Sequence, residues 1–278
     1  MRPRPASAAP DAPLDDAAYA AAACAACGVA LEARLHAGEI VDVFRGSLRG
    51  APVAVKLVRE RWRGHPGAIE LVAREHRVLA AIDHPHVVRA RCVAERDGIA
   101  VLVTELLAGG DLVPLGGGAP RHWVPAARAV ASALGTVHRA GFIHGDVKAR
   151  NVLFDAAGRA KLIDFGSAQP LGAPRRLGGR TRAHEPLRFE LPRASPVEDA
   201  YAFAVLLYEL LTGRLPFGPT PAGWAPPPPI ETGTSRSLER LARLVTAALA
   251  AASPADVVTL IEFADVLESV HGEAAGPA

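Results

Sequence analysis

The stretch His144-Gly145-Asp146-Val147-Lys148-Ala149-Arg150-Asn151, followed further on by Asp164-Phe165-Gly166, governs the reading of the whole chain. The first segment follows an amphipathic helix expected over Val124–Arg139 and ended by Gly141. Two short strands are expected next, Val152–Phe154 and Lys161–Ile163, flanking the turn Ala156–Gly158. Asp146, Lys148, Asn151 and Asp164 therefore fall at the ends of regular elements. Polar side chains held there by a scaffold can meet a ligand. A further anchor lies upstream. Lys56 ends Val53-Ala54-Val55-Lys56 inside an apolar strand, where an ammonium is costly unless an anion meets it. Glu75, in the helix that follows, is a candidate for that anion.

Working outward, the N-terminal third reads as strands. Ile40–Phe44, Pro52–Val58, Val87–Val93 and Ile99–Thr104 are short β-branched runs. Between the second and third of these, Ile69, Val72, Leu79 and Ile82 share one helical face. Beyond Glu105 the chain reads as mostly helical. Asp199–Thr212 is nearly all apolar and so expected to be buried. A Pro-rich loop, Pro216–Pro229, precedes two last helices, Leu238–Ala251 and Pro254–Val270. Residues 1–28, rich in Pro, Ala and Asp, carry no periodic apolar face and are expected to be a disordered tail. No internal repeat is visible.

Composition narrows the possibilities. With 278 residues, half of them apolar, the chain can bury a substantial core in one or two compact units. A net charge of +2 gives no reason to expect a nucleic-acid or membrane partner. The Ala-rich run Ala17–Ala30 is too weakly apolar to span a bilayer, and Asp11, Asp15 and Asp16 precede it where a signal peptide carries positive charge. A cytoplasmic location is expected, or a virion or host-cell one for a viral chain. The heavy use of Ala, Arg, Gly and Pro fits a GC-rich genome, bacterial or of a large DNA virus. Cys24, Cys27 and Cys92 are too few for a disulfide framework, and the C-x-x-C they include lacks the second pair a zinc site needs. A reducing compartment is the default.

Taken in order, these segments resemble the protein kinase family, over about residues 33 to 270. The lysine strand, the Asp146 loop and Asp164-Phe165-Gly166 occur in the family's sequence. Leu79, His84, Pro85 and Val87 resemble its L-x-x-L-x-H-P-x-I-V segment. Asp199 to Phe217, D-A-Y-A-F-A-V-L-L-Y-E-L-L-T-G-R-L-P-F, resembles another of its motifs. The resemblance implies an α+β, two-lobed protein-kinase-like fold. Residues 29–105 would form an N-lobe of antiparallel sheet with one helix. Residues 106–272 would form a mostly α-helical C-lobe, and 273–278 a flexible C-terminus. It implies a serine/threonine kinase that uses ATP and Mg²⁺, with Mn²⁺ as a substitute, on a protein substrate.

The resemblance also implies roles. Lys56 would hold the α- and β-phosphates, with Glu75 orienting it. Asn151 and Asp164 would ligate Mg²⁺. Asp146 would accept or align the proton of the attacking hydroxyl, and Lys148 would steady the γ-phosphate. Val43, Ala54 and Leu153 would sandwich adenine, and Thr104 would be the gatekeeper. The backbone of Glu105 and Leu107 would pair with the adenine edge, and Asp111 would reach the ribose. Lys148 is serine/threonine-kinase-like, whereas Ala149-Arg150-Asn151 is tyrosine-kinase-like. His144 reads as a packed, hydrogen-bonded histidine rather than a proton shuttle, and Phe165 as an apolar packing residue.

Several positions depart from the family pattern. In place of a glycine-rich loop stands His36-Ala37-Gly38-Glu39-Ile40-Val41, with only Gly38 left. Weaker ATP binding or a stiffer loop is expected. Gly145 replaces an Arg that commonly pairs with a phosphorylated loop, so switching by loop phosphorylation is not expected. Between Asp164 and Glu185 the only hydroxyl residues are Ser167 and Thr181. Ala183-His184-Glu185 stands for Ala-Pro-Glu, and the Arg that should meet Glu185 is missing near Val257, leaving Arg182 or Arg188 as substitutes. The cluster Arg175, Arg176, Arg180 and Arg182 reads as a solvated loop. Two other functions stay open: a nucleotide-binding scaffold without activity, and a small-molecule phosphotransferase of the aminoglycoside-kinase type, in which H-G-D is frequent.

Overall fold

A computed structural model describes Cys24 and residues 27–96, 98–175 and 181–275. These form two compact units. The first holds the described residues up to Ala73 together with Ala90–Leu106. The second holds Arg74–Arg89 and the described residues from Leu107 onward.

The first unit is built on five antiparallel strands: β1 (Val29–His36), β2 (Val41–Leu48), β3 (Ala51–Val58), β4 (Ala90–Arg96) and β5 (Ile99–Glu105). Their order across the sheet is β1-β2-β3-β5-β4. Alternation along each strand sends successive side chains to opposite faces. On one face Val53, Val55 and Leu57 of β3 meet Val101 and Val103 of β5, with Val29 and Ile99, in a buried apolar cluster. On the other face the register sets Val43 opposite Lys56 and Ala54 opposite Thr104. Of these five strands, β1 is the one the sequence pattern does not show. Its pattern is mostly exposed and it is bulged at two places, so it lacks a clean apolar alternation.

Cys27 corrects the cysteine reading. It is disulfide-bonded to Cys92, with Cα atoms 6.4 Å apart, and is not paired within the C-x-x-C. The turn before β1 lies against the apolar cluster, as does Cys92 of β4, a pairing that spacing along the chain cannot reveal. Cys24 stays a free thiol, and burial pushes its pKa up to about 11. The expected tail over residues 1–28 falls outside the described residues except for Cys24, Cys27 and Gly28.

Helix α1 (Pro66–Ala80) links the strands of the first unit to residues counted with the second. The second unit contains α2 (Pro120–Arg139), β6 (Phe142–Ile143), β7 (Val152–Phe154), β8 (Ala160–Leu162), β9 (Gln169–Pro170), α3 (Pro196–Thr212), α4 (Arg236–Ala250) and α5 (Leu260–Ala275). Helix α5 runs past the boundary expected at residue 272. Helix α3 is its centre. Tyr201, Phe203, Leu206 and Tyr208 are fully buried, and Phe203 meets Phe263 of α5 edge to face at 5.7 Å. Two paired ladders, β7 with β8 and β6 with β9, bracket the segments that carry Asp146 and Asp164. The segment after α1 is stitched to β8: Leu162 N–H donates to His86 O at 2.8 Å and Val88 N–H to Leu162 O at 3.0 Å.

A capping box starts α3. Ser195 accepts the Val197 N–H, while Glu198 accepts the Ser195 N–H at 3.2 Å. Ser195→Ala removes one partner of the helix's first turn and is expected to cost about 1 kcal/mol of unfolding free energy, measured by chemical denaturation.

Candidate active site

The loop between β6 and β7 is fixed from below by one carboxylate. Asp199, in the first turn of α3, is completely buried. Its Oδ2 accepts the His144 N–H at 2.8 Å and a bond from His138 Nε2 at 2.8 Å, and its Oδ1 accepts the Gly145 N–H at 2.8 Å. Burial works to raise its pKa, yet the His138 hydrogen bond and charge, His144 and the Gly145 N–H outweigh it and hold the carboxyl below its usual range. Gly145 sits at φ 80°, a left-handed conformation that glycine takes without strain. That is a backbone reason for the H-G-D sequence.

His144 is structural, as expected from the sequence. Its Nδ1 accepts the Asp146 N–H at 3.2 Å, so Nε2 carries the proton and donates to Ile163 O at 2.9 Å. Its ring meets Phe165 edge to face at 4.7 Å. One imidazole thus ties the Asp146 loop to the segment leading into Asp164.

Asp146 is held on both carboxylate oxygens. Oδ1 accepts the Thr181 N–H at 3.1 Å. Oδ2 accepts bonds from Lys148 Nζ at 2.5 Å and Asn151 Nδ2 at 3.0 Å. Lys148 Nζ also donates to Thr181 Oγ1 at 2.8 Å. A second bond from Asn151 Nδ2, to Asp146 O at 2.8 Å, fixes the amide nitrogen on Asp146, and the amide oxygen is of the kind that could meet a hard cation. Asp164 is half-buried at φ 63°, a left-handed position that short polar residues tolerate, and the next N–H, of Phe165, donates to Glu75 Oε1 at 3.2 Å. Glu75 is itself buried.

The structure therefore brings Glu75, Asp146, Lys148, Asn151 and Asp164 into one unit. Leu153 and Asp111 join them there through a backbone bridge, and Asp111 Oδ1 also accepts the Val113 N–H at 3.1 Å. Leu107 is buried in the same unit. Gly38, Val43, Ala54, Lys56, Thr104 and Glu105 belong to the first unit. There Thr104 is buried and donates to Glu105 O at 3.3 Å.

Three residues of this region carry little signal in the sequence. Asp199 stands there only at the start of a helix motif, although a carboxylate in an otherwise apolar, buried run signals fixed partners. Thr181 is a bare hydroxyl in the sequence. Arg175 is one of a cluster expected to be a solvated loop. Its side chain is only 13% exposed, and it donates to Glu185 at 2.8 Å and to Glu198 at 3.1 Å. Arg175 supplies the cation that Glu185 lacked, aided by Arg182 at 3.2 Å. Arg188 does not. It stacks on Trp224 at 4.5 Å and donates to Ala250 O. Arg176 and Arg180 lie outside the described residues.

Beside Asp146 is a cavity of about 20 Å³, room for one water, lined by Gly145, Arg175, Thr181, His184 and Glu185. His184 is buried, and neither ring nitrogen has a hydrogen-bond partner among the described residues. Burial above all, with Lys148 adding to it and Asp146 opposing it, pushes its pKa down to about 4.

Within the second unit, an Asp-Lys-Asn loop beside an Asp-Phe-Gly turn is the pattern that marks protein kinases. The chain belongs to the protein kinase family, since residues 31–222 match the protein kinase domain. It is similar to the serine/threonine-protein kinase PkaB of Streptomyces coelicolor, 35% identical over 201 residues, 66% of this chain and 48% of that protein. It is also similar to the serine/threonine-protein kinase PknL of Mycobacterium tuberculosis, 33% identical over 67% of this chain and 50% of that protein. A third relative is the serine/threonine-protein kinase pkn2 of Myxococcus xanthus, 33% identical over 67% of this chain and 25% of that protein. The chain thus spans a quarter to a half of the length of these relatives. No helix among the described residues is long and apolar enough to cross a membrane.

Two outcomes follow from this geometry. Asp199→Ala leaves the backbone N–H groups of His144 and Gly145, and His138, without their acceptor and is expected to lower stability by about 3 kcal/mol or more, read by denaturant unfolding. His184 refuses a proton until about pH 4, whereas its unfolded form takes one near 6.5. Stability is expected to fall as pH drops through that window, by up to about 3 kcal/mol, and His184→Leu is expected to flatten that part of the pH–stability curve.

Proposed function

We propose that the chain is an ATP-dependent protein kinase that transfers the γ-phosphate to serine or threonine hydroxyls of protein substrates. The observation that carries this reading is the double hold on Asp146. Asn151, Lys148 and the Thr181 N–H fix its carboxylate, so the proton acceptor is aligned before the acceptor hydroxyl arrives. As the hydroxyl oxygen bonds to the γ-phosphorus, the bond from phosphorus to the β–γ bridging oxygen breaks and ADP leaves. Asp146 takes the hydroxyl proton. Lys148 lies within reach of the same carboxylate and would offset charge on the transferring group. Lys56, on the sheet face with Val43, Ala54 and Thr104, is assigned to the α- and β-phosphates.

The oxygen chemistry of Asn151 and Asp164 suits Mg²⁺, which would neutralise phosphate charge when bound. The serine/threonine preference rests on Lys148 and on the names of the relatives. We place the two kinase lobes at residues 29–105 and 106–272 and the protein in the cytoplasm.

The test is transfer from γ-labelled ATP to a generic protein substrate, comparing wild type with Asp146→Ala. The variant is expected to lose about a hundredfold or more in rate while keeping ATP affinity within about twofold. A wild type that binds ATP but labels nothing is a scaffold instead. Labelling of an aminoglycoside or choline in place of protein makes it a small-molecule phosphotransferase.

A further inference from the structure

The loop between β1 and β2, where glycines are missing, is tied down by Asp42 of β2 and by the turn that follows β3. Asp42, the second residue of β2, is buried, and its Oδ1 accepts the Gly38 N–H at 3.1 Å. Arg59 Nη1 donates to Gly38 O at 3.0 Å. Arg61 Nη2 and Trp62 Nε1 both donate to Glu39 O, the latter at 3.1 Å. The Arg59 N–H donates to Ile40 O at 2.9 Å. Each carbonyl of residues 38–40 therefore accepts a bond from the turn Arg59–Trp62. The Asp42 carboxylate stands 3.7 Å from Arg59 and 3.8 Å from Arg34, so the buried charge is matched. At Gly38 itself a Cβ would come within 2.2 Å of Val41 O, so the one glycine retained is the one the closed loop requires.

A loop of several glycines is pliable and is shaped as its ligand binds. This loop has its shape imposed in advance, through side chains reaching in from after β3. We infer that Asp42, Arg59 and Arg61 are positioning residues. They hold the backbone of residues 37–41 in the conformation that meets the nucleotide's phosphates, and so replace the missing glycines by preorganisation. The inference rests on the phosphotransferase reading given above. The ligand concerned is the triphosphate of the nucleotide, not its base, because the ties act on backbone at the loop's tip. Sequence spacing hides this device, since Asp42 and Arg59 are joined only by the pairing of β2 with β3.

The experiment is calorimetric titration of the purified chain with Mg-ATP and, separately, with adenosine, for wild type, Asp42→Asn, Arg59→Ala and Arg61→Ala. Hydrogen exchange of residues 37–41 is followed alongside. Asp42→Asn and Arg59→Ala are expected to weaken ATP about tenfold, and Arg61→Ala, which spares Trp62, about threefold. Adenosine affinity is expected to stay within about twofold, and the loop amides to exchange faster. Arg59→Lys, which keeps the charge, is expected to recover part of the loss. Equal losses for ATP and adenosine would make the ties merely structural and overturn the inference, as would unchanged ATP affinity in all the variants. Arg61 is exposed, so its variant decides the matter even where a change at buried Asp42 unfolds the protein. A wild type that binds neither ligand defeats the phosphotransferase reading itself, a result distinct from failure of the ties.

Discussion

One buried carboxylate orders the chemistry-bearing half of this protein. Asp199 could not remain charged at zero exposure without donors, and it finds them in the backbone of His144 and Gly145 and in His138. The requirement runs both ways. The carboxylate needs those N–H groups, and the N–H groups, lifted out of water, need an acceptor. Because Asp199 stands in the first turn of the most apolar helix, the backbone before Asp146 is anchored to the centre of the core. The side chains that follow inherit that rigidity: His144 hands it to Ile163, and Asn151 and Lys148 hand it to Asp146.

A second tier of charge closes the site from the other side. Arg175 joins Glu185 to Glu198, and Glu198 is also Ser195's partner in the capping box of α3. The segment around Thr181 is thus secured to the same helix that carries Asp199. No single contact here is large, since exposed ion pairs contribute little. These are shielded, share partners, and end on one rigid element, so they act as a set.

Much of this was legible in the sequence, for definite reasons. The strands β2, β3 and β5 show themselves through β-branched runs, and α3 through an unbroken apolar stretch. Lys56, Asp146, Asn151 and Asp164 stand out because charged or amide groups at the ends of apolar elements are costly without a task. What stayed hidden depends on pairing across distance. Strand β1 is exposed and bulged, so its pattern is weak. Cys27 meets Cys92 because a turn lies over the sheet's apolar face, not because of spacing. Arg175 looked like one of several loop arginines, because its two carboxylates lie ten and twenty-three residues away. The loss of glycines before β2 was visible, but the side chains that compensate for it lie beyond the next strand.

The ties at Arg175 and Thr181 have a consequence for how a disturbance would spread. Arg175 joins Glu185 to Glu198, and Thr181 meets both Asp146 and Lys148. Glu198 and Asp199 share the first turn of α3. Neutralising Glu185 would therefore unbalance the very turn from which Asp199 holds the backbone before Asp146.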